Sequence, residues 1–257
     1  MGKKVKDYYD IEYGYFLAKK IKSVYSEFND NQFISLIRPT IEQLKFNDRQ
    51  ELLANALKAS IPLNYSETIG IFKKILGPEL NGSLGMFTEG YWLWPIGKFV
   101  ELFGGENFEV STSFSKELTK RFTSEFCMRT IINQFPEQSM NLLLKWSQDS
   151  NQRVRRLASE CIRIRLPWSK KLYVALEYFD IYYELLTCLK DDTDKTIQKS
   201  VANNLNDLYK EDQEKFEFIV SSWQNENITK ECQWIIKHAS RTKNKKHSCV
   251  QNICLYY

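Results

Sequence analysis

Apolar residues recur every three or four positions along most of the chain, and this is the period of amphipathic α-helices. In residues 7–28 the apolar positions are Ile11, Phe16, Ile21, Val24, Tyr25 and Phe28. Further helices are predicted to start at Asp30 or Asn31, at Asn47 or Asp48, and at Ser66, the last ending at Gly77-Pro78. Short helices joined by brief polar turns indicate antiparallel helix pairs.

The middle of the chain has a weaker pattern. Residues 78–91 form the longest predicted loop and lead to WLWPIGKFVELFGG, whose Trp92 and Trp94 we interpret chiefly as packing between repeats, with a ligand contact as the alternative. We expect an irregular connector over residues 106–113. One helix should follow, with Leu118, Phe122, Phe126 and Ile131 on its apolar face, and another should begin at Pro136.

Residues 151–168, NQRVRRLASECIRIRLPW, combine a helix with an unusual charge pattern. Asn151 can cap the helix, and Val154, Leu157, Ala158 and Cys161 make its apolar stripe. Arg156 and Glu160 are four residues apart, so they are neighbours on one face. Pro167 ends the regular structure and leaves Trp168 beyond it. A surface helix with an internal salt bridge is the simpler alternative to a functional site.

The second half repeats itself at roughly 40 residues, the period of two-helix solenoid repeats. The copies are DSNQRVRRLASECI, DDTDKTIQKSVANNL and, more weakly, ITKECQWIIKHASR. Because no strand pattern competes, the predicted fold is all-α, a right-handed solenoid of HEAT-like (ARM-like) repeats. The second helix of each repeat should build its concave face.

The distribution of basic residues suggests a function for the concave face. The net charge of the 257-residue chain is only +4, but basic residues cluster in the second half. They are Arg155, Arg156, Arg163, Arg165, Lys195, Lys199, Lys210, Lys230, Lys237, Arg241 and Lys243. Positive charge along one wall matches the phosphate backbone of DNA, whereas solvated charge balanced by acids is the alternative.

Several other classes of protein are disfavoured. The chain contains no apolar run long enough for a membrane span and no secretory signal at its start, so we expect a cytoplasmic protein. Scattered cysteines predict reduced thiols, and a metal clip of His247, Cys249 and Cys254 lacks a fourth ligand. Nucleotide-binding and hydrolase motifs are missing, so no cofactor is expected. Residues 243–257 are predicted to be a poorly ordered tail.

Four motifs resemble those of a known family. FTSEFCMR, RVRRLASECIRIRLPW, KSVANNLNDL and QWIIKHASRT resemble the AlkC branch of the AlkC/AlkD DNA alkylation repair proteins, which are HEAT-like-repeat DNA glycosylases. The resemblance covers most of the chain up to about Thr242 and is most specific from residue 117 onward. It implies functional roles for Glu125, Arg156, Glu160, Trp168 and Asp207. We therefore expect a glycosylase domain over residues 1–242.

The chain also departs from the family pattern. Cys161 stands where relatives have glycine, Ile164 where they have proline, and Asn204 where they often have histidine. Many relatives carry an immunoglobulin-like domain after the repeats, and the sequence is expected to stop before one. These departures bear on DNA affinity more than on the chemistry.

The resemblance implies base excision repair of DNA in which an adenine or cytosine is alkylated at N3, without full base flipping. Glu160 and Asp207 would stabilise the cationic sugar and activate water, Glu125 would support them, and Trp168 would pack on the nucleoside. The predicted DNA contacts are Arg155, Arg156, Arg163, Arg165, Lys199, Lys237 and Arg241. We expect a monomer that acts on double-stranded DNA. The alternatives are a non-catalytic protein that binds distorted or branched DNA, and a protein-interaction scaffold.

Overall fold

The computed structural model describes residues 4–224 and 227–244, and the regular structure in these ranges is helical. The α-helices are α1 (Ile11–Lys22), α2 (Asp30–Ile37), α3 (Phe46–Ser60), α4 (Tyr65–Ile75), α5 (Trp94–Phe103), α6 (Phe108–Thr119), α7 (Glu125–Gln134), α8 (Pro136–Trp146), α9 (Gln152–Glu160), α10 (Val174–Glu177), α11 (Phe179–Leu189), α12 (Lys195–Glu211), α13 (Gln213–Trp223) and α14 (Lys230–Ala239). Short 3-10 turns cover Val5–Tyr8 and Tyr91–Leu93. The all-α prediction is confirmed over the described residues.

Polar side chains fix where the repeat helices begin. Asn151, Asp194 and Thr229 accept hydrogen bonds from backbone N–H groups in the first turns of α9, α12 and α14. These bonds satisfy donors that have no partner within the helix. The cap-rich turns seen in the sequence repeats are therefore the start signals of equivalent helices.

Two sequence predictions in the middle of the chain are wrong. Residues 106–113 are not an irregular connector, because α6 begins at Phe108, and the helix expected from Leu118 to Ile131 is divided between α6 and α7. The buried face of α6 is partly polar. Ser111 donates to the carbonyl of Gly104 and Thr112 to that of Phe108. Polar groups satisfied in this way can line a core, and they hide a helix from a search for apolar periodicity.

The chain divides into two compact units, one ending at Gln134 and the other beginning at Phe135. In the first unit, aromatic rings hold the long loop against the helices. The ring centroid of Trp94 lies 4.7 Å from that of Phe46 in an edge-on arrangement. It lies 5.3 Å from that of Phe122 in a tilted arrangement. The hydroxyl of Tyr13 donates to the carbonyl of Trp92 at 2.6 Å. Both half-buried tryptophans therefore pack against the apolar core of the first unit, and packing between repeats stays a prediction.

In the second unit α12 packs against both α9 and α14. Val154 of α9 and Ile197 of α12, matched in the sequence repeats, are both fully buried. Polar bonds join successive repeats as well, because Arg155 pairs with Asp192 at 2.7 Å. This packing brings one face of α9, α12 and α14 together and positions the candidate site.

Candidate functional site

Two carboxylates lie close together inside the second unit. Glu160 is the last residue of α9, and Asp207 lies in the second half of α12. Their exposed fractions are only 8% and 2%. A carboxylate this deeply buried needs a charged or hydrogen-bonding partner, because it has lost most of its hydration.

Arg163 is that partner for both acids. Its Nη1 donates to Oε1 of Glu160 at 2.9 Å, and its Nε donates to Oδ2 of Asp207 at 3.1 Å. The Arg163 side chain is itself buried, with 7% of the residue exposed. The sequence predicted a DNA contact here, but this guanidinium is engaged inside the protein. We assign Arg163 the role of fixing the distance between the two carboxylates.

The backbone after α9 closes the site on the other side. The N–H of Arg165 donates to Oδ2 of Asp207 at 3.3 Å, and Nη2 of Arg163 donates to the carbonyl of Arg165 at 3.4 Å. Cys161 begins this stretch in the right-handed α region, with φ −71° and ψ −23°. Any residue adopts that conformation, so the backbone does not require the glycine found in relatives.

Hydroxyl and amide groups of α12 complete the polar interior. Ser159 donates to Oγ of Ser200 at 2.7 Å, and Ser200 in turn hydrogen-bonds to Glu160. Asn204 donates to the carbonyls of Ser159 at 2.8 Å and Ser200 at 3.0 Å, and accepts from the Tyr182 hydroxyl at 3.3 Å. Asn204 therefore ties α9 to α12.

The two acids have opposite electrostatic environments. Burial alone would raise the pKa of Glu160, but the guanidinium groups of Arg156 and Arg163 and the Ser200 hydrogen bond outweigh it, so this pKa is lowered. At Asp207 burial is the stronger influence, and the pKa is raised despite the bonds to Arg163 and to the Arg165 backbone. The surroundings of Glu160 therefore favour its ionised form, whereas burial makes Asp207 a stronger base than an ordinary aspartate.

This contrast predicts opposite effects of two isosteric substitutions on stability at about pH 7. Glu160→Gln should lower the free energy of unfolding by about 1.5–3 kcal/mol, because it removes a charge that the fold stabilises. Asp207→Asn should leave that free energy unchanged or raise it, since ionised Asp207 destabilises the folded state. Urea denaturation of both variants and the parent measures these effects.

The pH dependence follows with the same signs. Because the pKa of Glu160 is lowered in the folded protein, its stabilising effect is present above the unfolded-state pKa and is lost as the pH falls through the folded-state pKa. The free energy of unfolding of Glu160→Gln should therefore approach that of the parent in acid. Because the pKa of Asp207 is raised in the folded protein, the free energy of unfolding falls as the pH rises through the pKa that this group has in the unfolded chain. Any advantage of Asp207→Asn should therefore also vanish in acid. Equal losses of stability for both variants at about pH 7 would contradict the opposite assignments.

Trp168 is the most unusual residue of the segment after α9. It is 82% exposed, although exposed tryptophans are uncommon. Its φ is +63°, and within the described part of the chain it is the one non-glycine residue with a positive φ. A bulky residue in this conformation carries strain of roughly 1–2 kcal/mol. The chain thus holds a large flat ring in solvent, three residues beyond the Arg165 amide that binds Asp207.

The remaining predicted DNA contacts fall into two groups. Arg155 pairs with Asp192 at 2.7 Å and Arg165 with Glu211 at 2.5 Å, so both have partners in the next repeat. Lys199 of α12 and Lys237 of α14 are exposed, and Arg241 is half-buried beyond α14. Arg156 is half-buried and acts electrostatically on Glu160. Their DNA contacts stay predictions.

Glu125 lies in the other compact unit, where it is the first residue of α7 and is buried. Its negative charge contributes to raising the pKa of the buried Cys127 thiol, after burial and the charge of Glu101. Its role in the site also stays a prediction. Residues 245–257, which include the rejected metal clip of His247, Cys249 and Cys254, lie outside the described residues.

Sequence reasoning missed the polar stripe of α12. Ser200, Asn204 and Asp207 are spaced four and three residues apart, so they share one face of the helix, and all three are buried. Buried polar residues at helical spacing could have signalled this face. Within the described residues we find no group of side chains suited to hold a metal ion, and none of the helices there has the length and apolarity for a membrane span.

Comparison with known proteins agrees with the family resemblance. Residues 117–242 match the model of the DNA alkylation repair enzymes. The chain is 31% identical over 243 residues, 94% of its length, to the uncharacterized protein YhaZ of Bacillus subtilis (strain 168), and it spans 65% of that protein.

A solved structure agrees with this match. The alkylpurine DNA glycosylase AlkC of Pseudomonas fluorescens, bound to DNA containing an abasic site analog, superposes with a TM-score of 0.81 at 29% identity. The match covers 94% of this chain and 65% of the AlkC chain, and it confirms the predicted fold, a solenoid of HEAT-like helical repeats. Residues 117–242 therefore match the family model of the DNA alkylation repair enzymes, the resemblance that the sequence motifs predicted.

Proposed function

We propose that this protein is a DNA glycosylase that hydrolyses the N-glycosidic bond of bases alkylated at N3, such as 3-methyladenine or 3-methylcytosine. The observation that carries the proposal is the buried group of Glu160, Arg163 and Asp207, in which one guanidinium bridges two carboxylates with oppositely shifted pKa values. Two acids and one arginine leave this group with a net negative charge. It suits a reaction in which positive charge develops on a sugar.

The reaction needs little help with the leaving group. A base alkylated at N3 carries a positive charge, and it becomes neutral when it takes the electron pair of the bond to C1′. The deoxyribose is left as an oxocarbenium-like cation, which the ionised Glu160 stabilises through its charge. Charge therefore selects the lesion, and a closed pocket around the base is not required.

Asp207 activates the water that completes hydrolysis. Its Oδ2 accepts the bonds from Arg163 and Arg165, so we assign the water contact to Oδ1. The water oxygen forms the new bond to C1′, and its proton passes to the carboxylate of Asp207 and then to solvent. The raised pKa of Asp207 favours this transfer, because it makes the carboxylate a stronger base.

Trp168 and Arg156 complete the proposed site. The exposed ring of Trp168 would pack on the deoxyribose or the base and stabilise the cation through its π face. Arg156 would hold a phosphate and keep Glu160 ionised. The supporting catalytic role that the family resemblance implies for Glu125 stays part of the proposal. The partner is double-stranded DNA in the cytoplasm, bound by a domain of residues 1–242 acting as a monomer.

The direct test is release of free base from defined DNA. The protein is incubated with duplex DNA containing 3-methyladenine, and the released base is separated and quantified against undamaged duplex. We expect release from the alkylated duplex alone. Tight binding of both duplexes without release would favour a non-catalytic DNA-binding protein, and absence of binding would favour a protein-interaction scaffold.

Substitution of Trp168 separates function from stability. Trp168→Gly should slow base release by about tenfold, because a cation–π contact of roughly 1 kcal/mol or more is lost. The same change should keep or raise the free energy of unfolding, since glycine adopts a positive φ without strain. Single-turnover release and urea denaturation measure the two effects. Phe218→Ala, which removes another exposed aromatic ring on α13, is the control and should leave release unchanged.

A further inference from the structure

A second polar surface lies along α12 and α14, next to the group of Glu160, Arg163 and Asp207, and it includes Lys199 and Arg241, two of the predicted DNA contacts. At its centre are two rings on α14, Trp234 and His238, four residues apart and half-buried. The ring centroids are 4.9 Å apart, and the planes are inclined by only 7°. We call this stacked pair the Trp–His platform.

Cations surround the platform. The ammonium group of Lys195 lies over the Trp234 ring, 5.4 Å from its centroid, and also donates to Gln198 at 2.8 Å. Arg241 donates from Nη1 to the carbonyl of His238 at 2.8 Å and from Nη2 to Asn203 of α12 at 2.9 Å. These bonds hold the charge of Arg241 beside the platform.

The charges that act on the His238 ring come from both helices of the pair. Arg241, beyond the end of α14, and Lys199 on α12 both act on it, and both are positive. Of the neighbouring acids, Asp194 is used in capping α12, and Glu231 lies 3.8 Å from Lys230. The platform is therefore a positively charged surface that carries two flat rings.

The platform is close to the proposed catalytic group. The charges of Asp207 and Arg163 both act on the guanidinium of Arg241. Asn206, the residue before Asp207, donates to the carbonyl of Ala239 at 2.7 Å and to Thr242 at 2.9 Å. A strand of DNA whose lesion lies at Glu160 and Asp207 would pass this surface within a few nucleotides.

We propose that the Trp–His platform, with Lys195, Lys199 and Arg241 around it, binds the phosphodiester backbone of DNA beside the lesion, and that His238 takes up a proton when the backbone binds. This inference rests on the proposed DNA-binding function and deepens it. The cations attract the phosphates, while the protonated imidazole adds one charge and one N–H donor that the free protein lacks.

The protonation follows from the charges around the ring. In the free protein, burial and the charges of Arg241 and Lys199 lower the pKa of His238, so the ring is neutral at about pH 7. A bound phosphate offsets those positive charges and raises the pKa. Because the complex holds the proton more tightly than the free protein does, DNA affinity must increase as the pH falls.

The test measures affinity for an undamaged duplex by fluorescence anisotropy between about pH 6 and pH 8. We expect the dissociation constant to fall by roughly three- to tenfold toward pH 6. His238→Gln should remove most of this pH dependence, and it should weaken binding at pH 6 more than at pH 8. The control is His247→Gln, which replaces the other histidine of the chain and should preserve the dependence.

A second measurement needs no variant. Calorimetric titration of the parent protein with duplex DNA, in two buffers of different ionisation enthalpy, reports how many protons are bound with the DNA. We expect net proton uptake near neutral pH. Absence of uptake, or an unchanged pH dependence in His238→Gln, would overturn the proposal.

Base release keeps the two proposals distinguishable. A protein that binds undamaged duplex with proton uptake but releases no base supports the platform and contradicts the glycosylase. Base release together with pH-independent binding supports the glycosylase and contradicts the platform. Failure to bind DNA under any condition contradicts both.

Discussion

Glu160→Gln and Asp207→Asn should each abolish most of the base release from duplex DNA containing 3-methyladenine. For Glu160→Gln we expect a loss of about 10²- to 10³-fold, because a neutral amide cannot stabilise the cationic sugar. For Asp207→Asn the expected loss is about 10²- to 10⁴-fold, since the amide accepts no proton from water. Single-turnover release at saturating protein isolates the chemical step from binding.

The double variant sharpens this prediction. Residues that act in one chemical step lose activity non-additively, so combining Glu160→Gln with Asp207→Asn should cost little more than the worse single change. DNA affinity should not fall in any of these variants, because each removes negative charge. Glu211→Gln is a matched control, as Glu211 pairs with Arg165 and Lys171 rather than with the catalytic group. Full release by both single variants would eliminate these carboxylates as catalytic residues.

Arg163→Met should cause the largest loss of stability among single substitutions in the second unit. Arg163 is the buried cation between Glu160 and Asp207, and its removal leaves two buried carboxylates without their shared partner. Breaking a buried ion pair on one side costs about 3–5 kcal/mol. The measurement is urea denaturation at about pH 7, where both acids would otherwise be ionised.

Neutralising the two carboxylates that are left without a partner should restore much of the lost stability. The triple variant with Arg163→Met, Glu160→Gln and Asp207→Asn carries no buried charge at these positions, and neutral replacements of buried ion pairs are often tolerated. Arg165→Met is the control. Its pair with Glu211 is more exposed, so we expect a change below about 1 kcal/mol. A triple variant as unstable as Arg163→Met would show that packing, rather than charge, explains the loss.

Local signals in the sequence located many elements correctly. Asn151 caps α9, Pro136 begins α8 and Gly77 follows α4 with a φ of +77°. Each of these residues acts on the backbone within two positions of itself, so no tertiary information is needed. The repeats succeeded for the same reason, because each copy carries its own cap and apolar stripe.

Prediction failed where the information is non-local. The start of α6 was missed because its buried face is partly polar, and the hydroxyl of Ser111 is satisfied by the carbonyl of Gly104 outside the helix. Arg163 was predicted to contact DNA, since arginine is usually exposed and this segment is basic. Only the packing of α9 on α12 reveals that the residue is buried.

The segment 151–168 shows both what the sequence predicts and what only the tertiary structure decides. Its residues alone predicted a capped helix with an apolar stripe, a proline stop and a tryptophan just beyond it, and its motif predicted the resemblance to the DNA alkylation repair enzymes. The adjacent charges of Arg156 and Glu160 suggested an ion pair within one helix. The tertiary structure also places Arg163 between Glu160 and Asp207, which lie 47 positions apart in the sequence. Helix packing and the free-energy cost of burying an unpaired charge determine which residues pair over such a distance in sequence. The local pattern of apolar and polar positions shows neither of them.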